Sequence, residues 1–147
     1  MKVILITGCN GSIGTGLINH FKKKKEFKVI GVDKDFQKKN LKFSNVSYFK
    51  TDLSNEKSQK KLFKQIEKKF NKIDILINNA GIIHNSLLVN RLNKTYKMHS
   101  FKEWKKVFSA NLDTAFLTCI YAIPLMIKKK TNGLIINFSS ISAKGNI

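Results

Sequence analysis

The chain has 147 residues, 42% of them hydrophobic, which fits one globular domain with its own core and excludes a disordered chain. Its formal net charge is +19, from 28 basic and 9 acidic residues. A nucleic-acid-binding protein would explain that charge. However, Arg91 is the only arginine, and the lysines are spread over nearly every segment rather than along one stripe. We therefore expect no nucleic-acid partner and keep a basic nucleic-acid-binding protein as the last of three hypotheses.

The cysteine pattern and the apolar segments argue against export and membrane insertion. Cys9 and Cys119 are the only cysteines, and neither has the spacing of a metal site or a CxxC pair. We expect reduced thiols, a cytoplasmic protein and no metal. The longest apolar segment, 115–127, is shorter than the roughly 20 residues of a membrane span, so no membrane contact is expected.

The chain opens with four consecutive apolar residues, 3–6, followed by a glycine-rich segment and a helical pattern. Such a run predicts a strand buried on both faces at the centre of a parallel sheet. Gly8 allows a tight turn, Gly11 lets backbone approach a bound group, and Gly14 lets the helix pack close to the strand. The helix N-terminus formed there would attract a phosphate. The alternative is a tight connection with no ligand.

A second apolar strand, 29–32, ends at Asp33, about 20 residues beyond the glycine turn. A carboxylate at this point can accept hydrogen bonds from both ribose hydroxyls of an adenosine, and it would repel a 2′-phosphate. The pattern therefore favours NAD over NADP, although the adjacent Lys34 weakens that preference.

The remaining chain alternates strands with helical segments, which indicates an α/β fold with a doubly wound parallel sheet and right-handed crossovers. The predicted helices cover 12–25, 54–70, a segment starting at 100, and 111–130; the further strands cover 46–50, 73–77 and 134–138. Ser54 and Ser100 are expected to cap two of these helices. Residues 35–45 read as a polar connection, and 82–99 as a loop at the sheet edge where such folds place substrates. The crossover rules give five strands in the order 3-2-1-4-5.

Motifs along the whole chain resemble, in the same order, those of the short-chain dehydrogenase/reductase family. They are Thr7-Gly8-x-x-x-x-Ile13-Gly14, Asp52-Leu53, Asn78-Asn79-Ala80-Gly81, Asn111-Leu112, the segment 122–126 and Ile136-Asn137-Phe138-Ser139-Ser140. The resemblance implies a single NAD(P)-binding Rossmann domain with three αβα layers over residues 1–147. It also implies hydride transfer between a nicotinamide cofactor and an alcohol or ketone. Ser12 departs from the family, whose compact branch usually has a glycine there.

The resemblance assigns a role to each candidate site residue. Gly8, Asn10, Gly11, Ser12 and Ile13 would line the pyrophosphate, in the turn that Gly14 completes. Asp33 would bind the ribose, Asp52 and Leu53 the adenine, and Asn79, Ala80 and Gly81 the cofactor's nearer ribose. Asn111 would hold a proton-relay water, and Ser140 would hydrogen-bond the reacting carbonyl or hydroxyl.

The family's Tyr-x-x-x-Lys pair, whose tyrosine exchanges a proton with substrate, has no match in these residues. Four residues after Tyr48, Tyr96 and Tyr121 come Asp52, Ser100 and Leu125. We therefore expect a C-terminally incomplete domain that alone transfers no hydride and has low solubility. Its full-length form would be a homo-oligomer acting on a small-molecule substrate. The second hypothesis is a non-catalytic dinucleotide-binding or regulatory module.

Overall fold

The structure, a computed structural model, describes residues 1–35, 43–92, 95–130 and 132–145. In chain order its elements are β1 (Lys2–Thr7), α1 (Ser12–Phe21), β2 (Phe27–Asp33), β3 (Val46–Lys50), α2 (Glu56–Phe70), β4 (Ile75–Asn78), β5 (Val89–Leu92), β6 (Thr95–Met98), α3 (Phe101–Phe108), α4 (Thr114–Lys128) and β7 (Leu134–Asn137). A π-helical turn, Ser109–Asp113, joins α3 to α4, and a 3-10 turn, Ile141–Lys144, follows β7. Most of the polar connection predicted over 35–45 lies outside the described residues.

The main sheet has five parallel strands in the order β3-β2-β1-β4-β7. Because β7 is the fifth strand of the prediction, the predicted order 3-2-1-4-5 is confirmed. β1 lies at the centre, where Ile4 pairs with Val29 of β2 and with Ile75 of β4. The unbroken apolar run of β1 suits this place, because a central strand is buried on both faces.

Helices cover both faces of the sheet and give three αβα layers. On one face Leu5 packs in a core cluster with Leu62 of α2 and Leu125 of α4. On the other face Ile6 packs in a second cluster with Ile18 of α1. Successive side chains of β1 therefore enter opposite cores, as the alternation of a strand requires.

The structure corrects the predicted cap of α2. Asn55, not Ser54, is the cap, and its side chain accepts a hydrogen bond from the Ser58 N–H at 3.0 Å. The Ser54 hydroxyl instead donates to Asp52 Oδ1 at 2.7 Å. Ser54 therefore belongs to the turn after β3, and the cap and the start of the helix each lie one residue later than predicted.

At the other helices one predicted boundary changes and one predicted cap is confirmed. α1 ends at Phe21 rather than at residue 25, with Lys22 as its C-cap. The cap predicted at Ser100 is confirmed, since its hydroxyl accepts a hydrogen bond from the Glu103 N–H at 3.3 Å.

The prediction of a loop over 82–99 is wrong in part, because β5 and β6 form an antiparallel hairpin there. Arg91 pairs with Tyr96 across it, and the guanidinium lies 5.9 Å from the centre of the tyrosine ring. The His99 N–H donates to the Leu88 carbonyl at 2.9 Å and closes the hairpin's base. Every residue of β6 is exposed, so no buried face imposes an alternating apolar pattern that the sequence could reveal.

The predicted helix boundary at Asn111 is also wrong, because the helix runs on from Phe101 to Lys128. By length and composition alone this helix of 28 residues, with a mean hydropathy of 1.5 in its most apolar window, could cross a membrane. The apolar segment 115–127 is therefore part of a helix that is long enough for a span. One such helix is weak support for a span, since core helices meet the same criteria, and Ala122, Leu125 and Met126 lie in the core.

Asp74 ties the amino ends of three strands together. Its Oδ2 accepts a hydrogen bond from the Val3 N–H at 2.7 Å and lies 2.9 Å from Lys72 Nζ. Its backbone N–H donates to Val3 O, and its carbonyl accepts from the Leu134 N–H, both at 2.9 Å. The Asp74 side chain is only 12% exposed, so water cannot easily replace these bonds.

We predict that Asp74→Ala lowers the free energy of unfolding by about 1.5–3 kcal/mol, the usual effect of removing a hydrogen-bonded charge. Urea denaturation followed by circular dichroism measures this difference. Glu26→Ala, at an exposed position near the same end of the sheet, serves as the control and should change stability by about 0.5 kcal/mol at most. Equal effects of the two substitutions would contradict the role given to Asp74.

Candidate functional site

The turns after β1 and β4 are bonded to each other at the carboxyl edge of the sheet. The Thr7 hydroxyl, in a residue only 1% exposed, accepts hydrogen bonds from the backbone N–H groups of Asn79 and Ala80, both at 3.0 Å. The Asn79 side-chain amide donates in return to Thr7 O at 3.0 Å and Gly8 O at 3.1 Å. The glycine turn and the Asn-Asn-Ala-Gly segment are therefore one unit.

Sequence reasoning named Thr7 only as part of a motif and not as a site residue. The available signal was a hydroxyl at the last position of a buried strand. A buried hydroxyl needs a partner, and the neighbouring strand's turn offers the nearest backbone donors.

The three glycines of the turn meet different surroundings. Gly8 has φ +64°, and a Cβ on it would lie 2.8 Å from Ala80 Cα. A Cβ on Gly14 would overlap Gly8 O and lie 2.7 Å from Cys9 Cα. A Cβ on Gly11 would meet only Gly8 O, at 3.5 Å. The fold therefore requires glycine at positions 8 and 14, whereas at Gly11 the space is open.

The turn leads into an uncapped helix N-terminus beside a carboxylate. Gly11 is the N-cap of α1 and provides no side-chain hydrogen bond, and Ser12 and Ile13 in the first turn are exposed. The Asn10 N–H donates to Asp33 Oδ2 at 2.9 Å. Backbone N–H groups at such a terminus are a general binding site for anions.

A cavity of about 370 Å³ lies at this edge of the sheet. Six of the predicted site residues line it, namely Gly8, Asp33, Asp52, Leu53, Ala80 and Gly81. The structure therefore brings together segments that are far apart in the sequence. The other predicted residues, Asn10, Gly11, Ser12, Ile13, Gly14, Asn79, Asn111 and Ser140, do not line this cavity.

Sequence reasoning missed most of the remaining cavity wall. It consists of Lys34, Thr51, Ser54, Ile82, Lys106, Ser109, Ala110 and Thr114. Four of these come from α3, the π-helical turn and the start of α4, and no motif marks them. The cavity wall therefore contains two lysines, Lys34 and Lys106, as well as two carboxylates, Asp33 and Asp52. Among the residues that the structure describes, no group of three or more His, Cys, Asp and Glu side chains could hold a metal ion.

Asn111 is attached to the cavity through its neighbours. Its Oδ1 accepts a hydrogen bond from the Ile82 N–H at 2.8 Å, and its Nδ2 donates to Ile82 O at 3.0 Å. A Cβ on Gly81 would lie 3.2 Å from Asn111 Oδ1. The side chain of Asn111 therefore holds the segment after β4 against the π-helical turn. Such turns occur frequently at functional sites.

Ser140 lies three residues past the end of β7, at the same carboxyl edge of the sheet. Its hydroxyl accepts a hydrogen bond from the Ser142 N–H at 3.2 Å and caps the 3-10 turn. The nearby Phe138 N–H donates to Asn78 O at 3.0 Å, which extends the pairing of β7 with β4.

The three tyrosines lie away from the cavity wall. Tyr48 is on β3, where burial and the nearby Cys9 raise its pKa. Tyr121 is on α4, where desolvation and then Glu56 raise its pKa, and its hydroxyl donates to Glu56 Oε1 at 3.4 Å. Tyr96 is exposed on the hairpin. Both shifts move the phenol pKa further from neutral pH, whereas a residue that exchanges protons works best with a pKa near it.

Comparison with known proteins points to one family. The profile of the short chain dehydrogenase family matches residues 2–147. The 3-oxoacyl-[acyl-carrier-protein] reductase FabG of Buchnera aphidicola subsp. Baizongia pistaciae is 33% identical over 99% of this chain and 58% of its own. The NADP-dependent (R)-specific alcohol dehydrogenase of Lentilactobacillus kefiri is 30% identical over 95% of this chain and 54% of its own.

A solved structure shows the same fold. The short chain dehydrogenase of Leptospira borgpetersenii serovar Hardjo-bovis with bound NAD+ superposes with a TM-score of 0.83 at 29% identity. The superposition includes 99% of this chain and 54% of the Leptospira chain. The chain belongs to the short chain dehydrogenase family, and it spans about half the length of the curated relatives it matches.

The glycine turn also controls the chemistry of Cys9, which is only 4% exposed. Burial, and then the carboxylate of Asp33, raise the pKa of its thiol from 9.0 to about 12. In the folded chain the thiolate therefore forms only at very alkaline pH. Because the folded pKa is above the unfolded one, the stability that this proton contributes is lost as the pH rises from 9.0 toward 12.

We predict that Cys9 in the Cys119→Ser variant is alkylated by iodoacetamide at pH 9 at least about 100-fold more slowly in the native chain than in urea. Mass spectrometry of quenched samples measures both rates. The native rate should rise steeply above pH 10. Similar rates in the two states would show that the thiol is neither buried nor perturbed.

Proposed function

We propose that this chain is the cofactor-binding part of an NAD(P)-dependent oxidoreductase that transfers hydride between a nicotinamide cofactor and an alcohol or ketone. The observation that carries the proposal is the shared cavity at the carboxyl edge, where Gly8, Asp33, Leu53 and Gly81 meet. Open α/β sheets bind their ligands at this edge, between strands whose connections leave in opposite directions. Here β1 and β4 are those strands.

The residues present fit a dinucleotide. The uncapped N-terminus of α1 would hold the pyrophosphate, and the open space at Gly11 gives it room to approach. Asp33 would accept hydrogen bonds from the adenosine ribose, and Asp52 and Leu53 would lie along the adenine. Ala80 and Gly81 would line the nearer ribose, with Asn79 holding their turn in place. The bound nicotinamide supplies the hydride acceptor or donor.

The residues assigned to the reaction itself are Asn111 and Ser140. Asn111 would act from the π-helical turn beside Gly81, and Ser140 would hydrogen-bond the substrate oxygen from the end of β7. No tyrosine among the 147 residues has a lysine four places later, and none lines the cavity. We infer that these residues alone do not exchange the proton that accompanies hydride transfer, so that turnover by the isolated chain is negligible.

The exposed apolar surface supports a further part of the proposal, that the protein works as a homo-oligomer on a small-molecule substrate. Phe116 and Ile127 of α4 are 63% and 70% exposed, and Leu134 of β7 is 50% exposed. β7 is also an edge of the sheet. Large apolar patches and unpaired edges of this kind mark interaction surfaces and lower the solubility of an isolated chain.

We predict that Gly11→Ala weakens NAD binding by about tenfold or more while lowering the free energy of unfolding by about 1 kcal/mol at most, because alanine is a poorer N-cap than glycine. The added methyl meets no protein atom closer than 3.5 Å, so a loss of NAD affinity arises from the ligand that the methyl obstructs. Isothermal titration calorimetry gives the affinity and thermal denaturation the stability.

Gly16→Ala is the matched control, because nothing lies within 4 Å of its Cβ on the second turn of α1. It should leave NAD binding unchanged and stabilise the helix by about 0.5–1 kcal/mol. If Gly11→Ala bound NAD as tightly as Gly16→Ala, the pyrophosphate site would have to lie elsewhere.

The choice of cofactor is the second prediction for this site. The names of two relatives mention different cofactors, NAD+ for one and NADP for the other. We therefore take the preference for NAD or NADP from the charges near the ribose site. Asp33 faces the cavity and should repel a 2′-phosphate, while Lys34 beside it attracts one. We propose that NAD binds at least about tenfold more tightly than NADP, and that Asp33→Ala reduces the ratio to about threefold or less.

Asp33→Asn separates charge from turn geometry, because its amide oxygen can still accept the Asn10 N–H. Calorimetric titration with both cofactors should therefore give Asp33→Asn the same reduced ratio of NAD to NADP affinity as Asp33→Ala. A parent chain that prefers NADP would mean that Lys34 outweighs the carboxylate.

A further inference from the structure

Gln59 is a fully buried polar residue between α2 and α4. Its Nε2 donates to the carbonyls of Leu53 at 2.7 Å and Thr114 at 3.3 Å. Its Oε1 lies 3.3 Å from the Thr118 hydroxyl, whose single proton it shares with Thr114 O at 2.6 Å. One side chain therefore joins the turn after β3, helix α2 and helix α4.

The hydrogen bonds continue from Gln59 to the π-helical turn. The Thr118 hydroxyl lies 2.6 Å from Thr114 O, and the Thr114 hydroxyl donates to Ser109 O at 3.1 Å. Ser109 is the first residue of the π-helical turn that carries Asn111. The network thus connects the residue expected beneath the adenine, Leu53, with the segment expected to act on the substrate.

Both ends of this hydrogen-bond network lie in the wall of the same cavity. Leu53 lines it from one side, and Ser109 and Thr114 line it from another. A buried amide is tolerated only when its hydrogen bonds are made, and an apolar side chain would fill the space between two helices without that requirement. Packing alone therefore does not explain a glutamine at this position.

We propose that Gln59 is a positioning residue that fixes the adenine side of the cavity and the π-helical turn relative to each other. Adenosine bound at Leu53 and the placement of Asn111 are then coupled through one side chain. This inference rests on the proposed function, because it deepens the role of the same cavity. Gln59 itself does not line the cavity and touches no reacting atom.

The experiment compares Gln59→Met with the parent chain and with Gln65→Met, a control at an exposed position of the same helix. Calorimetry measures the affinity for AMP and for NAD, and hydrogen exchange followed by NMR measures the amides of residues 110–114 and of β1. Gln59→Met should weaken AMP and NAD binding alike by about tenfold. It should also accelerate exchange at residues 110–114 by about tenfold or more while leaving the amides of β1 unchanged.

The proposal is wrong if Gln59→Met changes neither the AMP affinity nor the amide exchange of the π-helical turn. It is also wrong if amide exchange in β1 rises as much as exchange in that turn, because this would indicate a general loss of stability. If Gln59→Met does not fold, the same measurements are made on Thr118→Val. This variant removes the hydroxyl beside Gln59 Oε1 and leaves Gln59 in place, and the same outcomes are expected. A parent chain that binds neither AMP nor NAD refutes the proposed function, and the exchange data still decide whether Gln59 positions the turn.

Discussion

The structure depends on the contact between two turns, one after β1 and one after β4. The Thr7 hydroxyl is bonded to two consecutive backbone N–H groups, at Asn79 and Ala80, and Gly8 passes close to Ala80 with no room for a Cβ. Because these turns belong to neighbouring parallel strands, the contact fixes where both carboxyl ends lie. The helix N-terminus of α1, the carboxylate of Asp33 and the start of the segment held by Asn111 all take their positions from it.

The glycines of the first turn show how fold and ligand requirements can be separated. Gly8 and Gly14 are surrounded by backbone atoms that leave no space for a side chain, so the fold alone accounts for them. Gly11 faces open space, and nothing within the described part of the chain requires a glycine there. At the uncapped N-terminus of α1, a glycine that the protein's own packing does not require leaves room for a bound group to approach the backbone.

Local sequence was sufficient for the sheet and the glycine turn but not for the site's outer wall. An unbroken apolar run predicts a central strand, and strands alternating with helices restrict the topology to very few orders. Ser54 and Asn55 are both good caps, and only the bond between Ser54 and Asp52 decides between them. The π-helical turn depends on contacts between Asn111 and Ile82, 29 residues apart, which no local pattern reveals. Gln59 likewise appears in the sequence as one more polar residue of an amphipathic helix.

The central claim is that the carboxyl edge binds the dinucleotide, and titration of the ¹⁵N-labelled chain with NAD, followed by two-dimensional NMR, tests it most directly. We expect saturable chemical-shift changes at the amides of residues 8–14, of Leu53 and of Gly81. The opposite edge of the sheet carries a groove lined by five lysines, Lys22, Lys23, Lys25, Lys28 and Lys69, whose amides should not shift at moderate salt. Shifts confined to that lysine groove would mean that NAD is held by charge alone, and they would contradict the account.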